Sequence, residues 1–177
     1  MNKLLLPLLL LLAPCGCRNP AAALAQGIPF TLRPANTGPD LFLTQEVVFH
    51  LPLGRTERVL TTVENGPGGM AIVASTPLGQ TLFTLKVKDG EVVLDARVPL
   101  PGEFSPRILP VLIQLAEWPL AEVQRGLGPG LAFTEAGSLR TLTRDGKVLL
   151  TLRRAGSTLH LQAPPMGLRV DITTLQD

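Results

Sequence analysis

Gln80-Thr81-Leu82-Phe83-Thr84-Leu85-Lys86-Val87-Lys88-Asp89-Gly90-Glu91-Val92-Val93-Leu94-Asp95 decides the fold class of this chain. Phe83, Leu85 and Val87 recur every second residue, with Thr84, Lys86 and Lys88 between or beside them. That is the period of a strand with one apolar and one wetted face. Asp89-Gly90 follows, a dipeptide that tolerates the positive φ angles of a two-residue hairpin turn. Glu91 to Pro99 then reads as the partner strand.

The same grammar extends toward the N-terminus. Leu41, Leu43, Val47, Phe49 and Leu51 share one parity, interrupted by Gln45, while Thr44, Glu46 and His50 take the other. Thr56 to Asn65 is rich in β-branched residues and ends in the turn Asn65-Gly66-Pro67-Gly68-Gly69. Met70 to Thr76 is a third strand, closed by Pro77-Leu78-Gly79. Five successive strands joined by short turns form an antiparallel meander.

After residue 100 the period changes. Ser105-Pro106 reads as an N-cap followed by proline at the first helical position. Ile108, Leu109, Leu112, Leu115 and Ala116 then follow at helical spacing as one apolar stripe. Trp118-Pro119 stops this helix, and Leu120 to Leu127 is a second short one, broken by Gly126, Gly128 and Gly130. Strands resume at Ser138–Arg144, Lys147–Arg154, Thr158–Gln162 and Leu168–Thr174. In them Leu139/Thr141 and Val148/Leu150/Leu152 alternate with Arg140, Lys147 and Arg153, so one face is expected to be apolar and the other solvated. The expected fold class is mainly β with a helical insertion (α+β) near residues 105–127. Nine or ten antiparallel strands form a curled sheet or open half-barrel, with the helices on its concave face. Residues 41–177 are read as one such domain.

The N-terminus reads as a targeting signal. Met1-Asn2-Lys3 precedes Leu4–Ala13, a ten-residue run with eight leucines. The run is shorter than the roughly 20 residues a membrane-spanning helix needs and fits a secretory h-region. Cys15-Gly16-Cys17 follows and holds the only two cysteines. Cysteines two apart form a disulfide poorly, and two cannot complete a zinc site. A cysteine placed after a leucine-rich run and a small residue resembles a bacterial lipobox. That resemblance implies a signal over residues 1–16 and diacylglycerol on Cys17. Cys15 is the alternative, with Pro14 before it as an obstacle to cleavage. Residues 17–40, rich in Ala, Pro, Asn and Gly, are expected to form the acylated N-terminus and a flexible tether. Arg18, after the cysteine, implies by analogy export to the outer membrane, on its periplasmic face. A competing reading uses Ala23-Leu24-Ala25 as the cleavage signature and gives a soluble secreted protein.

Composition narrows the function. With 16 Lys and Arg against 14 Asp and Glu, the chain lacks the basic excess of a nucleic-acid binder, and no nucleic-acid partner is expected. At 45% hydrophobic residues it is no disordered chain. It has two His, four Ser and no Tyr, few of the groups used in acid–base or nucleophilic catalysis. His50 and His160 belong to no metal-spacing motif and read as strand-surface residues; a clustering of either with carboxylates would revive an enzymatic reading. The glycine run at residues 66–69 lacks the Lys-Ser/Thr of a phosphate loop. No catalytic residues, metal or cofactor are expected, and the protein is read as not an enzyme.

Several local features are familiar as a set: Gln45; Ser75-Thr76-Pro77-Leu78-Gly79 with Leu82-Phe83-Thr84-Leu85; Ile113-Gln114-Leu115-Ala116-Glu117-Trp118-Pro119; and Arg140 with the hairpin at Asp145-Gly146. The set resembles a family of uncharacterised bacterial outer-membrane lipoproteins whose genes often accompany aryl-polyene and fatty-acid-synthase-like clusters. That family is similar to the lipoprotein-localisation proteins LolA and LolB. The resemblance implies an open antiparallel barrel closed by helices, with acyl chains bound in an apolar cavity.

The expected function is a membrane-anchored lipoprotein that holds an acyl-chain or polyene-like ligand, with its own acyl chains as the link to the membrane. The expected cavity residues are Val47, Phe49, Phe83, Leu85, Leu112, Leu115 and Trp118. The alternative is a non-catalytic scaffolding lipoprotein with a fully packed core.

Overall fold

The structure is a computed structural model that describes residues 28–50, 54, 56–100 and 105–175. The first meander is β1 (Leu41–His50), β2 (Thr56–Gly66), β3 (Gly69–Ser75), β4 (Thr81–Lys88) and β5 (Glu91–Ala96). Two helices follow, α1 (Ile108–Glu117) and α2 (Leu120–Gly126). The second meander is β6 (Leu131–Ala136), β7 (Leu139–Arg144), β8 (Lys147–Ala155), β9 (Thr158–Ala163) and β10 (Leu168–Thr174). Cys17 and the expected signal lie outside the described residues, and among those described no helix is long and apolar enough to cross a membrane.

All ten strands lie in one antiparallel sheet, ordered β5-β4-β3-β2-β1-β10-β9-β8-β7-β6. The two meanders meet where β1 pairs with β10, from Gln45↔Thr174 to His50↔Arg169. The helices therefore connect the two outermost strands, β5 and β6. The sheet is open and uncurled, in place of the curled sheet expected, because β5 and β6 stay unpaired with each other at its edges; an open half-barrel with helices is compatible with this order.

Local chemistry explains the turns. Asp89 and Gly90 have φ of 52° and 81°, and Asp145 and Gly146 have 50° and 77°. Both pairs make the positive-φ hairpin turns that Asp-Gly favours. Every meander strand but β5 supplies buried residues to the core, among them Val63, Ile72 and Leu85 from the first half and Leu142, Leu150, Leu152, Leu161 and Val170 from the second. These join Val111, Leu115, Trp118 and Val123 of the helical connection in a single hydrophobic cluster.

The structure departs from the sequence reading in several places. Leu131–Ala136 is a strand that the sequence reading left unassigned, because its apolar alternation is short and carries Glu135 on the core side. Helix α1 starts at Ile108, with Arg107 at the cap position and no side-chain cap bond. Ser105 instead accepts the Ile108 N–H through its carbonyl at 3.1 Å. The buried stripe of α1 is Ile108, Val111, Gln114 and Leu115, whereas Leu109, Leu112 and Ala116 are only half-buried. Burial of a polar amide rotates the helix away from the all-aliphatic stripe. In β7 the expected parity is inverted, for Leu142 is buried and Arg140 shares its side of the strand. Val148 is displaced from the Leu150/Leu152 row by a register shift beside Leu142/Thr143 and is exposed.

Candidate functional site

The candidate site is the space between the apolar sheet face and α1. Of the residues expected to line it, Val47, Phe83, Leu85, Leu115 and Trp118 are buried in the one cluster, and Phe49 and Leu112 pack against it half-buried. Leu85, Leu115 and Trp118 have no exposed surface. The residues are thus brought together, but their side chains fill the space they surround.

Much of that filling comes from a stretch that the sequence reading placed in the tether. Residues 28–40 form ordered structure over α1. Ile28, Phe30 and Leu32 are buried, and Thr31 between them is exposed. The short period-two alternation was legible, but the prolines and glycines around it masked it. Phe30 bridges to Leu127 in antiparallel fashion. The Thr31 N–H donates to the Gly126 carbonyl at 2.7 Å, and the Gly128 N–H to the Pro29 carbonyl at 2.6 Å. Glycine is required at both partners. A Cβ at Gly126 would stand 2.6 Å from the Phe30 ring, and one at Gly128 would stand 2.8 Å from the Pro29 Cβ. The glycines that read as helix breakers are therefore also a bare-backbone seat.

Polar groups fix the far end of this segment. The side chain of Gln114, almost fully buried, accepts from Arg33 N–H at 2.8 Å and donates to the Arg33 carbonyl at 2.9 Å. This reproduces a strand-like pair and satisfies an amide whose burial alone would be costly. Arg33 Nε also pairs with Glu122 at 3.3 Å. Asn65 donates to the Ala35 and Pro39 carbonyls. Gly38 lies against the Trp118 indole, where a Cβ would clash with the ring. Asn65 Oδ1 and Trp118 Nε1 are buried without a hydrogen-bond partner.

The end of α1 is held by Arg140. Its Nη1 donates to the carbonyls of Leu115, Ala116 and Trp118 at 2.9–3.0 Å, and its Nε pairs with Glu135 at 2.7 Å. The terminal carbonyls of a helix lack partners within it, and a guanidinium placed there meets both their hydrogen-bond demand and the helix dipole. This is why β7 turns Arg140 inward.

Where α1 begins, a shallow cleft lined by Ile28, Arg107, Ile108 and Val111 has a cavity volume of about 10 Å³, room for about one water. It is smaller than an ordinary ligand pocket of roughly 300–1,000 Å³. Arg107 is exposed there and donates to the Phe30 carbonyl at 3.0 Å.

The same chain matches, over residues 43–176, a family described as "Protein of unknown function (DUF3261)". The chain belongs to this family. No curated protein matches it. The match covers the two meanders and both helices of the DUF3261 domain and begins after the 28–40 segment.

The two histidines of this DUF3261 protein meet on the opposite face of the sheet. His50 Nε2 lies 2.6 Å from Asp171 Oδ2, and His160 Nδ1 lies 2.7 Å from Asp171 Oδ1. His160 is the direct cross-strand partner of Asp171, and His50 reaches it diagonally from β1. Burial raises the Asp171 pKa, but the two histidine hydrogen bonds and charges outweigh it and hold the carboxyl below its usual value. A carboxylate orienting an imidazole is one part of a general-base arrangement. This is the clustering of histidine with carboxylate that an enzymatic alternative requires; the trio sits on the wetted face, and each imidazole contact described is with Asp171. Among the described residues no group of three His, Cys, Asp or Glu is placed to hold a metal.

Proposed function

We propose that this protein is a lipid-anchored lipoprotein of the outer membrane that binds a hydrophobic, lipid-like molecule between its sheet and α1. The observation that carries the reading is the covering of the core. Among the described residues, one continuous apolar face drawn from two meanders is covered largely by two short helices and an extended apolar segment. Such a roof is easier to open than a second sheet, and what lies beneath it is mostly apolar, with Asn65 and Gln114 among the buried polar groups. The attachment is by acyl chains on Cys17, each buried CH₂ contributing about 0.8 kcal/mol.

Mass spectrometry of the native protein tests both parts at once. The expected result is a diacylglycerol-modified Cys17 and a co-purifying hydrophobic molecule. Cys17→Ser should leave the fold intact and the protein unattached to membranes. If Cys15→Ser detaches the protein and Cys17→Ser does not, the anchor assignment is wrong. If no hydrophobic molecule co-purifies and the delipidated protein binds no fatty acid, phospholipid or fluorescent apolar probe, the binding reading fails.

The second reading, a scaffold with a packed interior, is favoured by the full burial of Leu85, Leu115, Leu142, Leu150 and Trp118. Absence of any binding would leave it standing.

A further inference from the structure

Residues 28–32 have the properties of an occupant rather than of a core strand. They run extended along α1, place Ile28, Phe30 and Leu32 inward at two-residue spacing, and are tied by three described hydrogen bonds: Thr31 to Gly126, Gly128 to Pro29, and Arg107 to the Phe30 carbonyl. Five extended residues span about 16 Å. Arg33, next in the chain, is tied by two hydrogen bonds between Gln114 and its backbone and by an ion pair to Glu122, and so can serve as a pivot for the stretch before it.

We infer that residues 28–32 occupy the binding site itself as an internal stand-in for one linear acyl chain with an anionic head, which enters by displacing them. The inference rests on the hydrophobic-ligand reading above and names the ligand class and the gate. The tail would take the places of Ile28, Phe30 and Leu32 against Ile108, Val111 and Leu115. The head would take Arg107, whose guanidinium gives up the Phe30 carbonyl. Arg107 has no carboxylate partner among the described residues. The cleft at Ile28 and Arg107 is the point where the displaced segment starts to lift. Ten residues separate Ile28 from Cys17, so the gate lies on the same stretch of chain as the expected anchor.

Competition gives a signature that a structural strand lacks. A site occupied by its own chain binds ligand with an affinity reduced by the fraction of time the occupant is away. Phe30→Ala weakens the occupant, and it should bind palmitate about tenfold more tightly than wild type although it is less stable. Ile28→Ser should act the same way and serves if Phe30→Ala does not fold. Binding is read on the full-length, delipidated protein by displacement of cis-parinaric acid. In wild type, the Thr31 amide should exchange with solvent faster when palmitate is bound. Arg107→Gln should weaken palmitate several-fold and leave hexadecanol, which has no charge, unaffected. Lysophosphatidic acid competing as well as palmitate would place the head in the phosphate class; palmitate alone would place it in the carboxylate class. If wild type binds palmitate but the Thr31 amide keeps its protection and Phe30→Ala binds more weakly, the segment is not the gate, and the broader reading survives. If neither wild type nor Phe30→Ala nor Ile28→Ser binds any of these probes, the broader reading is the one that falls.

Discussion

Arg140 shows how much one side chain can hold. It satisfies three terminal carbonyls of α1 and pairs with Glu135, and its side chain is only 19% exposed. Arg140→Met should destabilise the protein by about 1–3 kcal/mol, chiefly because it leaves the end of α1 without its partner, while the exposed Glu135 carboxylate can be hydrated. Arg140→Lys should recover only part, because an ammonium cannot reach both groups in the same geometry. Urea unfolding followed by Trp118 fluorescence measures both, and a loss under 1 kcal/mol would refute the role. Asp171 predicts a pH dependence. Its folded pKa is lowered, so its contribution to stability is present above the unfolded value of about 3.9 and is lost as pH falls through the folded value. The stability gap between wild type and Asp171→Asn should therefore be present above about pH 4 and shrink as the solution is acidified below it. A gap that widens on acidification below about pH 4 would contradict the assignment.

At the scale of elements, α1 is distinguished by which of its faces is buried. Leu115 is fully buried and Leu112 is not. Leu115→Ala should cost about 2–5 kcal/mol, the usual range for a buried leucine, and Leu112→Ala distinctly less. Equal losses would mean that the helix sits at a different rotation. The stripe was legible in part: Ile108 and Leu115 belong to both the expected and the observed face. The deviation has a single source, Gln114. Sequence periodicity assigns an amide to water, and only the Arg33 backbone, 81 positions away, gives it a dry place to bond. Gly38 was illegible for the same reason. Nothing in Thr37-Gly38-Pro39 says that an indole will lie on it. Gly38→Ala should shift Trp118 emission and destabilise the fold by about 1–3 kcal/mol as the ring is pushed off its seat. Unchanged emission would count against that contact.

For the whole molecule, the arrangement of the two meanders predicts its folding behaviour. Each meander is local in sequence, but β1 and β10 pair across nearly the whole domain, and the helices bridge opposite edges. Neither half can cover its own apolar face. A fragment of residues 28–100 and one of residues 105–175 should each be unfolded alone and regain strand circular dichroism and amide protection when mixed. A stable native-like fold in either fragment alone would refute a shared core. Slow folding is also expected, since non-local strand pairing must close long loops before it is rewarded.

What the sequence by itself determined is the set of local choices. Period-two alternation fixed the first five strands and four of the later five, Asp-Gly fixed two hairpins, and Trp118-Pro119 fixed the break between helices, because each is a short-range consequence of backbone geometry. Tertiary structure alone decided the rest. It turned Arg140 inward to a helix end, buried Gln114, drew His50 and His160 to one aspartate, and folded Ile28, Phe30 and Leu32 into the interior instead of leaving them in a tether. In every case the deciding partner is distant in the chain. Side-chain periodicity records which face a residue prefers in isolation, and burial of a polar or proline-flanked segment depends on a hydrogen-bond partner or an apolar seat that exists only after the chain has closed on itself.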